Sequence, residues 1–420
     1  MGVSKQLDVP HQTYRSLCHS PVLGEIRERI KQGPLAPQLE AYEQKLKDEG
    51  FAIFTGHLRL RLLADLGDWM KERGLALQQL DRVLVDEYLK YRHQKLRPRL
   101  DHVIGLRRLL ELIQPESPIA PPGDPCRVRE FAQYLQQERG LAEATIDDYV
   151  ATVREFVTGC CAQDRDDFDF LQPSDVTNFV QRKARRVSPA RAKHVVTGLR
   201  SFLRFLLQRG ALHRDLAACV PTVALWSLSG LPRFISAQDV QKIIDSCDCT
   251  RQGGLRDRAL LLLLARLGLR GGEIMRLALD DVDWESGVLT IHSKTRTPAQ
   301  LPLPAEVGEA LAQYVRQARP RCGSRRIFVR LRAPLGDFAS RTMVCCIVKR
   351  ALQRAGVTSA TKGGHLFRHS LATQMINSGA SLAEVGEVLR HLRLRTTSIY
   401  AKVDLTSLRA VAPRWPGGLR

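Results

Sequence analysis

The sequence predicts a mainly α protein with one small antiparallel sheet. Apolar residues recur at helical spacing through most of the 420-residue chain. Residues 281–304 differ, because apolar and polar side chains alternate there between polar turn residues, which is typical of short strands. With 44% hydrophobic and 26% charged residues, the composition is that of a globular protein long enough for two to three domains.

Two proline-containing stretches, residues 114–125 and 220–234, interrupt the helical periodicity and predict linkers. They divide the chain into three expected domains, residues 1–114, 125–220 and 235–420. We expect the first two to be helical and the third to combine helices with the sheet. The first segment, of about 30 residues, shows little periodicity, and we expect an irregular leader there.

The first two domains contain similar strings, which predicts a duplicated helical unit. HVIGLRRLL begins at His102 and HVVTGLRSFL begins at His194, about 90 residues further along. LDRVLVDEYL and LQPSDVTNFV, which begin at Leu80 and Leu171, are separated by a similar interval. Coincidence is the alternative, since the identical strings are short.

The charge balance favours a polyanionic partner such as nucleic acid. Lys and Arg number 64 against 44 Asp and Glu, which gives a net charge of +20 and a pI near 9.9. Residues 182–214 contain no acidic residue, and an apolar stripe including Leu199, Phe202 and Leu206 leaves the basic side chains on the opposite face. A solvated helix without a partner is the alternative. The candidate DNA-binding residues are Arg182, Lys183, Arg185, Arg186, Arg191, Lys193, Arg200 and Arg204.

Nothing in the sequence suggests export or a membrane partner. The longest apolar run, residues 259–265, is far short of the roughly 20 residues that cross a bilayer. The start lacks an apolar signal segment, and the ten cysteines form no C-x-x-C pair. We therefore expect a cytoplasmic protein without a metal ion. The alternative is a metal- or RNA-binding protein. Its candidate ligands do not have the spacing of a zinc finger, and they are His11, Cys18, His19, Cys247 and Cys249.

The sequence of the third domain predicts helices around the sheet. Ser236 followed by Asp239 predicts a capped helix start, and residues 255–267 predict a helix that is buried nearly all round. Further helices are expected at residues 272–279, 304–318, 340–356, 364–378, 381–389 and 396–401.

Four strings in this domain contain residue types that act on phosphates. They are GLRGGEIMRL around Arg270, HSKTRT around Lys294, HLFRHSLAT around His365 and Arg368, and LRHLRLRTTSIY, which ends at Tyr400. Each alone has an ordinary structural explanation, such as an ion pair between Arg270 and Glu273 or a core position for Tyr400.

Together these residues suit attack on a phosphodiester. The phosphate charge repels nucleophiles, and the transition state gathers further charge on the non-bridging oxygens, which planar guanidinium groups neutralise well. Arg270 and Arg368 would supply two such groups. Tyr400 would attack phosphorus, and His365 would accept its proton.

Two further residues complete the set. Lys294 would protonate the departing 5′ oxygen, and His391, nine residues before Tyr400, would donate a hydrogen bond to the phosphate. The combination of R-x-x-E, then H-x-x-R-H, then a histidine nine residues before a tyrosine resembles the tyrosine recombinase family of phage-type integrases. The resemblance covers about residues 125–410, and it assigns Glu273 the role of supporting the first arginine.

The resemblance implies both a fold and an activity. Residues 131–210 would be the core-binding domain, four or five helices that clamp DNA opposite the catalytic domain. Such enzymes cut one strand through a 3′-phosphotyrosine and release a 5′ hydroxyl, without cofactor, metal ion or ATP. They act as homo-tetramers on two double-stranded DNA sites, and residues 405–411 would dock on a neighbouring subunit. A bacterial, transposon-encoded member that acts on the nucleoid, with co-encoded recombinases, is expected by analogy.

The chain departs from the family pattern at Arg390, at Gly272, where serine is frequent, and at Phe367, where leucine is frequent. Arg390 stands where the family often has glycine, directly before His391. Lys294 has two competitors for its role, Arg296 in the same turn and Lys402 after the nucleophile.

Residues 1–114 do not resemble the small sheet domain of many phage integrases, and we expect a second DNA clamp or an oligomerisation module. Two rivals share the fold: a type IB topoisomerase, and a DNA-binding accessory protein that has lost catalysis.

Overall fold

The computed structural model describes residues 21–95, 100–113, 126–160, 168–224, 232–292, 298–391, 394–403 and 408. The described residues of 126–224 form one compact unit, and those of 21–113 and 232–408 together form a second. Each unit is described by itself. Among the residues described, no helix combines the length and the apolar character needed to cross a bilayer.

The amino-terminal part of the larger unit is a helical bundle. Its helices are α1 (Pro21–Lys31), α2 (Leu39–Asp48), α3 (Ile53–Glu72), α4 (Arg82–Lys95) and α5 (Leu100–Ile113). The expectation of an irregular leader over about the first 30 residues was wrong from residue 21 onward. Leu23, Ile26 and Ile30 lie one helical turn apart and are buried in the bundle core, so packing stabilises α1.

The smaller unit is a second bundle. Its helices are α6 (Cys126–Gln137), α7 (Glu143–Cys160), α8 (Pro173–Ala184) and α9 (Pro189–Gln208). They follow the order of α2–α5, each about 90 residues further along, which supports the duplication hypothesis. Phe131, Phe156 and Phe202 are fully buried in the core, and Ser188 caps α9 by accepting a hydrogen bond from the Arg191 amide.

The carboxyl-terminal part contains eight further α-helices and two small sheets within the described residues. The helices are α10 (Ala237–Asp245), α11 (Gln252–Arg266), α12 (Gly271–Arg276), α13 (Ala305–Gln317), α14 (Thr342–Arg354), α15 (His365–Asn377), α16 (Leu382–Val388) and α17 (Leu394–Thr397), which leads into a 3₁₀ helix (Ser398–Val403). As predicted, Ser236 caps α10, accepting the Asp239 amide at 3.0 Å.

Helix α11 is the centre of this part. Residues 259–264 of α11 are all fully buried, and the helix packs against α13 and α15. This confirms the expectation that the segment is surrounded by protein. Because α11 ends just before Arg270 and α15 carries Arg368, their packing brings together two parts of the chain that are about 100 residues apart.

The predicted sheet has three antiparallel strands, β1 (Val282–Asp283), β2 (Val288–Ile291) and β3 (Ala299–Pro302). Leu289 pairs with Leu301 across the second interface. A second, two-stranded sheet of β4 (Val329–Arg330) and β5 (Gly336–Asp337) was not predicted, because strands of two residues leave no alternation to read.

Within the larger unit, the loop between β4 and β5 contacts the amino-terminal bundle. The Leu335 amide donates a hydrogen bond to the Glu49 carbonyl at 2.8 Å, and Ala333 packs against the bundle core. Gly50 has φ +72°, and a Cβ there would lie 2.4 Å from Leu335 Cδ1. Glycine is therefore needed at residue 50 for this close approach.

Candidate active site

Tyr400 lies in the 3₁₀ helix that follows α17, and its side chain is buried, with 1% of the residue exposed. Its ring lies between two histidines, with ring centroids 5.7 Å from His369 and 6.5 Å from His391. Burial raises the pKa of the phenol, and the charges of Arg368 and Arg270 oppose that rise. Tyr400 is therefore a neutral phenol at rest and needs a proton acceptor in order to attack.

His369 is the hydrogen-bond partner of the Tyr400 phenol. Its Nδ1 lies 2.9 Å from Tyr400 Oη. Burial, followed by the charges of His365 and Arg368, lowers the pKa of His369, so the ring is neutral near pH 7 and the phenol donates to it. The sequence analysis missed this residue, although it is the second histidine of the H-x-x-R-H string.

His365 begins α15, one turn before His369, and its ring centroid lies 6.3 Å from that of His369. Desolvation and the charges of Arg368 and Arg270 lower the pKa of His365. The phenol hydrogen bond of Tyr400 goes to His369 and not to His365. The geometry therefore favours His369 over His365 as the immediate proton acceptor.

Arg368 is buried, with 3% of the residue exposed. It donates through Nη1 to the Gly268 carbonyl at 2.5 Å and through Nη2 to the Leu389 carbonyl. Burial lowers its pKa to about 10, which leaves it charged at neutral pH. These bonds hold its guanidinium between the loop before Arg270 and the turn before His391.

Glycine is required at residue 268 for this arrangement. Gly268 has φ +57°, and a Cβ there would lie 2.8 Å from Leu389 Cδ2. A larger residue there would have a strained backbone and would press on the Leu389 side chain, close to the two carbonyls that hold Arg368.

Arg270 directly precedes α12, and Glu273 supports it as predicted. Glu273 Oε1 accepts from Arg270 Nη1 at 2.8 Å, and Oε2 accepts from the Arg270 amide at 2.8 Å. Burial alone would raise the pKa of Glu273, but these hydrogen bonds and the nearby arginine charges hold it below the usual range. The Glu273 side chain is nearly inaccessible, while the Arg270 side chain is one-third exposed.

His391 follows the carboxyl end of α16 in a Schellman turn. The amide of Arg390 donates to the Glu387 carbonyl and that of His391 to the Gly386 carbonyl, both at 2.9 Å. Burial, followed by the charges of Arg368 and other arginines, lowers the pKa of His391 to about 4. The ring is therefore neutral near pH 7.

Thr397, which the sequence analysis also missed, sets the orientation of His391. Its hydroxyl lies 2.8 Å from His391 Nδ1, and Thr397 is buried at 1% exposure. If the hydroxyl donates to Nδ1, the proton of the neutral ring is on Nε2, which is the tautomer needed for donation to a phosphate. A Cβ on Gly386 would lie 3.2 Å from Thr397 Oγ1, so a small residue in α16 favours this approach.

The structure thus brings together Arg270, Glu273, Arg368, His391 and Tyr400, with His365 one turn from His369. Lys294 and its competitor Arg296 lie outside the described residues.

The candidate DNA-binding residues of α8 and α9 differ in their surroundings. Lys183 and Arg191 pair with acidic residues of α7, and Arg200 donates to the Val220 carbonyl at 2.8 Å. The other side chains are exposed and contact no carboxylate in the part of the chain that the structure describes: Arg182, Arg185, Arg186, Lys193 and Arg204. This second group is the stronger candidate surface for phosphates.

Of the rival metal-ligand set, His11, Cys18 and His19 lie outside the described residues. Cys247 is buried, and Cys249 Sγ lies 3.6 Å from the Cys247 carbonyl oxygen. Both thiols have ordinary structural surroundings.

Two sequence families match the chain. The profile described as "Phage integrase family" matches residues 233–406, and the profile described as "Phage integrase, N-terminal SAM-like domain" matches residues 128–210. The first includes the described site, and the second includes the candidate DNA-binding residues of α8 and α9.

Similar proteins cover nearly the whole chain. A putative integrase/recombinase, y4rA of Sinorhizobium fredii, is 41% identical over 93% of this chain and 96% of its own length. A second protein of that organism, the putative integrase/recombinase y4rF, is 30% identical over 94% of each chain. Tyrosine recombinase XerD of Listeria monocytogenes is 30% identical over 68% of this chain and 96% of its own length.

The fold also matches a solved structure, that of the XerH site-specific recombinase bound to a palindromic difH substrate in a post-cleavage complex. The TM-score is 0.53 at 19% identity, over 79% of this chain and 94% of the other.

Proposed function

The chain belongs to the phage integrase family of tyrosine recombinases, and we propose that Tyr400 is the residue through which it cuts and rejoins DNA. The observation that carries this proposal is the hydrogen bond from the buried Tyr400 phenol to His369, in a pocket with the guanidinium groups of Arg270 and Arg368. A neutral acceptor and a charged environment for phosphate are the two requirements of phenol attack on a phosphodiester.

In the proposed cleavage step, Tyr400 Oη forms a bond to phosphorus as the bond from phosphorus to the 5′ oxygen breaks. The phenol proton passes to His369 Nδ1, and the departing oxygen takes a proton from Lys294, the residue that the family pattern assigns. The products are a 3′-phosphotyrosine and a 5′ hydroxyl. Attack by a 5′ hydroxyl from the partner strand reverses these changes. The phosphotyrosine linkage conserves the energy of the phosphodiester bond, so no energy source is consumed.

Arginine and histidine side chains would stabilise the charge that develops on phosphate. Arg270 is held from behind by Glu273, and Arg368 is fixed by two backbone carbonyls, so neither needs to reorganise as the charge grows. His391, oriented by Thr397, would donate from Nε2 to a non-bridging oxygen. Transition-state stabilisation by groups fixed in advance is the largest single contribution in many such sites.

The remaining roles follow from the family. We assign residues 125–220 to DNA binding through α8 and α9, residues 235–420 to catalysis, and residues 1–114 to an added helical domain. The enzyme would act on two double-stranded DNA sites as a homo-tetramer, with residues 405–411 docking on a neighbouring subunit. Except for Leu408, those docking residues lie outside the described part of the chain. Action on the bacterial nucleoid, with co-encoded recombinases, fits a mobile-element origin.

The test is covalent trapping on a suicide duplex. The duplex carries the ends of the encoding element and a nick beside the scissile phosphate. After cleavage the short fragment diffuses away, so the 3′-phosphotyrosine cannot be rejoined and remains on the protein. We expect the wild type to form an adduct that survives denaturing electrophoresis. Tyr400→Phe, which keeps the ring but lacks the attacking oxygen, should bind the duplex with unchanged affinity and form no adduct.

Adduct formation by Tyr400→Phe at the wild-type rate would remove Tyr400 from this role. Failure of the wild type to form any adduct with a duplex that it binds specifically would overturn the proposed chemistry.

A further inference from the structure

Arg390 occupies a backbone position at which glycine is favoured. Its φ is +55°, and among the described residues it alone has a positive φ without being glycine. The position is the left-handed residue of the Schellman turn after α16, where a Cβ is disfavoured sterically. An arginine is thus held in a conformation that glycine would adopt more readily, which indicates that its side chain makes a compensating contact.

The side chain of Arg390 contacts the support of the first catalytic arginine. Its Nη2 lies 3.2 Å from Glu273 Oε2, although the two residues are 117 positions apart. Its Nη1 donates to the Val388 carbonyl at 3.2 Å. The Arg390 side chain is 12% exposed and that of Glu273 is 2% exposed, so the pair is shielded from solvent. Shielding strengthens the attraction between the charges.

Glu273 is therefore shared by two guanidinium groups. Its Oε1 accepts from Arg270, and its Oε2 lies within reach of both the Arg270 amide and Arg390. The carboxylate consequently links the start of α12 to the turn that presents His391. With Arg390 present, the three side chains carry one net positive charge, whereas Glu273 and Arg270 alone would be neutral overall.

We propose that Arg390 is a positioning residue: through the carboxylate of Glu273, it holds the turn of His391 against the start of α12. The inference rests on the phosphate site proposed above and adds to it a residue outside the family's catalytic set. The contact sets the separation between the two phosphate-binding groups that approach from α12 and from the α16 turn.

Arg390→Gly separates this role from a structural one. Glycine suits the left-handed backbone, so the variant should keep the wild-type melting temperature or exceed it, and it should bind DNA equally well. Its single-turnover rate of adduct formation on the suicide duplex should nevertheless fall roughly tenfold, because the His391 turn is no longer held. Arg390→Lys, which keeps the charge but loses the planar fork, should restore part of the rate.

A double-mutant cycle tests whether Arg390 acts through Glu273. In the background of Glu273→Gln, Arg390→Gly should cause almost no further loss, since the shared carboxylate is already gone. Wild-type cleavage rates in Arg390→Gly, or equal rate losses with and without Glu273→Gln, would overturn the inference while leaving the role of Tyr400 intact. A wild type that forms no adduct would overturn both.

Discussion

Arginine has different surroundings in the candidate active site and on the surface of α8 and α9. In the pocket, Arg368 is buried and bonded to two backbone carbonyls, and Arg270 is held by Glu273. On α8 and α9, side chains such as Arg185 and Arg186 are exposed and meet no carboxylate in the described part of the chain. The difference separates chemistry from binding: fixed cations suit a transition state, and exposed cations suit a long polyanion.

The amino-terminal bundle has the same helix order as the bundle of α6–α9, and several of its cations are paired with carboxylates. Arg27 pairs with Glu43 at 2.7 Å, and Arg92 pairs with Asp65 at 2.7 Å. Lys45 also has an acidic partner, Glu111. Cations that are neutralised internally attract phosphates less than the exposed cations of α8 and α9.

Among variants that keep Tyr400, the largest expected effect lies at His369. His369→Phe removes the acceptor of the Tyr400 proton and should lower the single-turnover cleavage rate about 100-fold at unchanged DNA affinity. His369→Asn should recover part of that loss, because its amide oxygen can accept a hydrogen bond from the phenol and orient it. Rapid-quench assays on the suicide duplex measure the rates.

His213→Phe is the matched control, since His213 is exposed, pairs with Asp169 and lies outside residues 235–420. It should leave the cleavage rate at the wild-type value. A cleavage rate of His369→Phe within roughly threefold of the wild-type rate would show that His369 does not accept the Tyr400 proton.

A smaller effect is expected on the surface of α8. Arg185→Gln should weaken DNA binding a few fold and reduce the magnitude of the slope of log affinity against log salt by about 0.9, the value for one lost phosphate contact. Arg27→Gln, which removes a cation already paired with Glu43, should leave the slope unchanged. Binding isotherms over a salt series provide the measurement. Equal slope changes for the two variants would erase the distinction between exposed and paired cations.

Most residues of the candidate site could be identified from the sequence for a physical reason: the proposed reaction requires particular residue types, and local spacing fixes which of them share a helix. Arg270 with Glu273 at the start of α12, and His365 with Arg368 in α15, are local patterns of this kind. The bond between Tyr400 and His369 was not predicted, since it joins residues 31 positions apart and depends on how α15 packs against the 3₁₀ helix.

The contact between Arg390 and Glu273 was even harder to predict from the sequence. The sequence analysis noted an arginine in place of glycine, but only the fold shows that the side chain reaches Glu273. Within residues 235–420, the helices were predicted to within a few residues. The two-residue strands β4 and β5 were not, because tertiary contacts rather than local pattern define them.

The smallest effect is on stability. The pKa of His391 is lowered from 6.5 to about 4 in the folded chain. Between these values the unfolded chain binds more protons, so stability is fully present above the unfolded pKa and falls as the pH drops. Differential scanning calorimetry should show a lower melting temperature at pH 5 than at pH 7.

His391→Gln should reduce this acid-induced drop by about 2 °C, because one titrating group is removed. A drop of the same size in the variant and the wild type would show that other groups, such as His365 and His369, account for the pH dependence.

The central claim is that the oxygen of Tyr400 becomes esterified to DNA, and mass spectrometry of the trapped adduct tests it most directly. After digestion with nuclease and trypsin, which cuts after Arg395 and Lys402, the account predicts that the peptide of residues 396–402 carries the nucleotide on its tyrosine. A nucleotide attached to any other residue would contradict it.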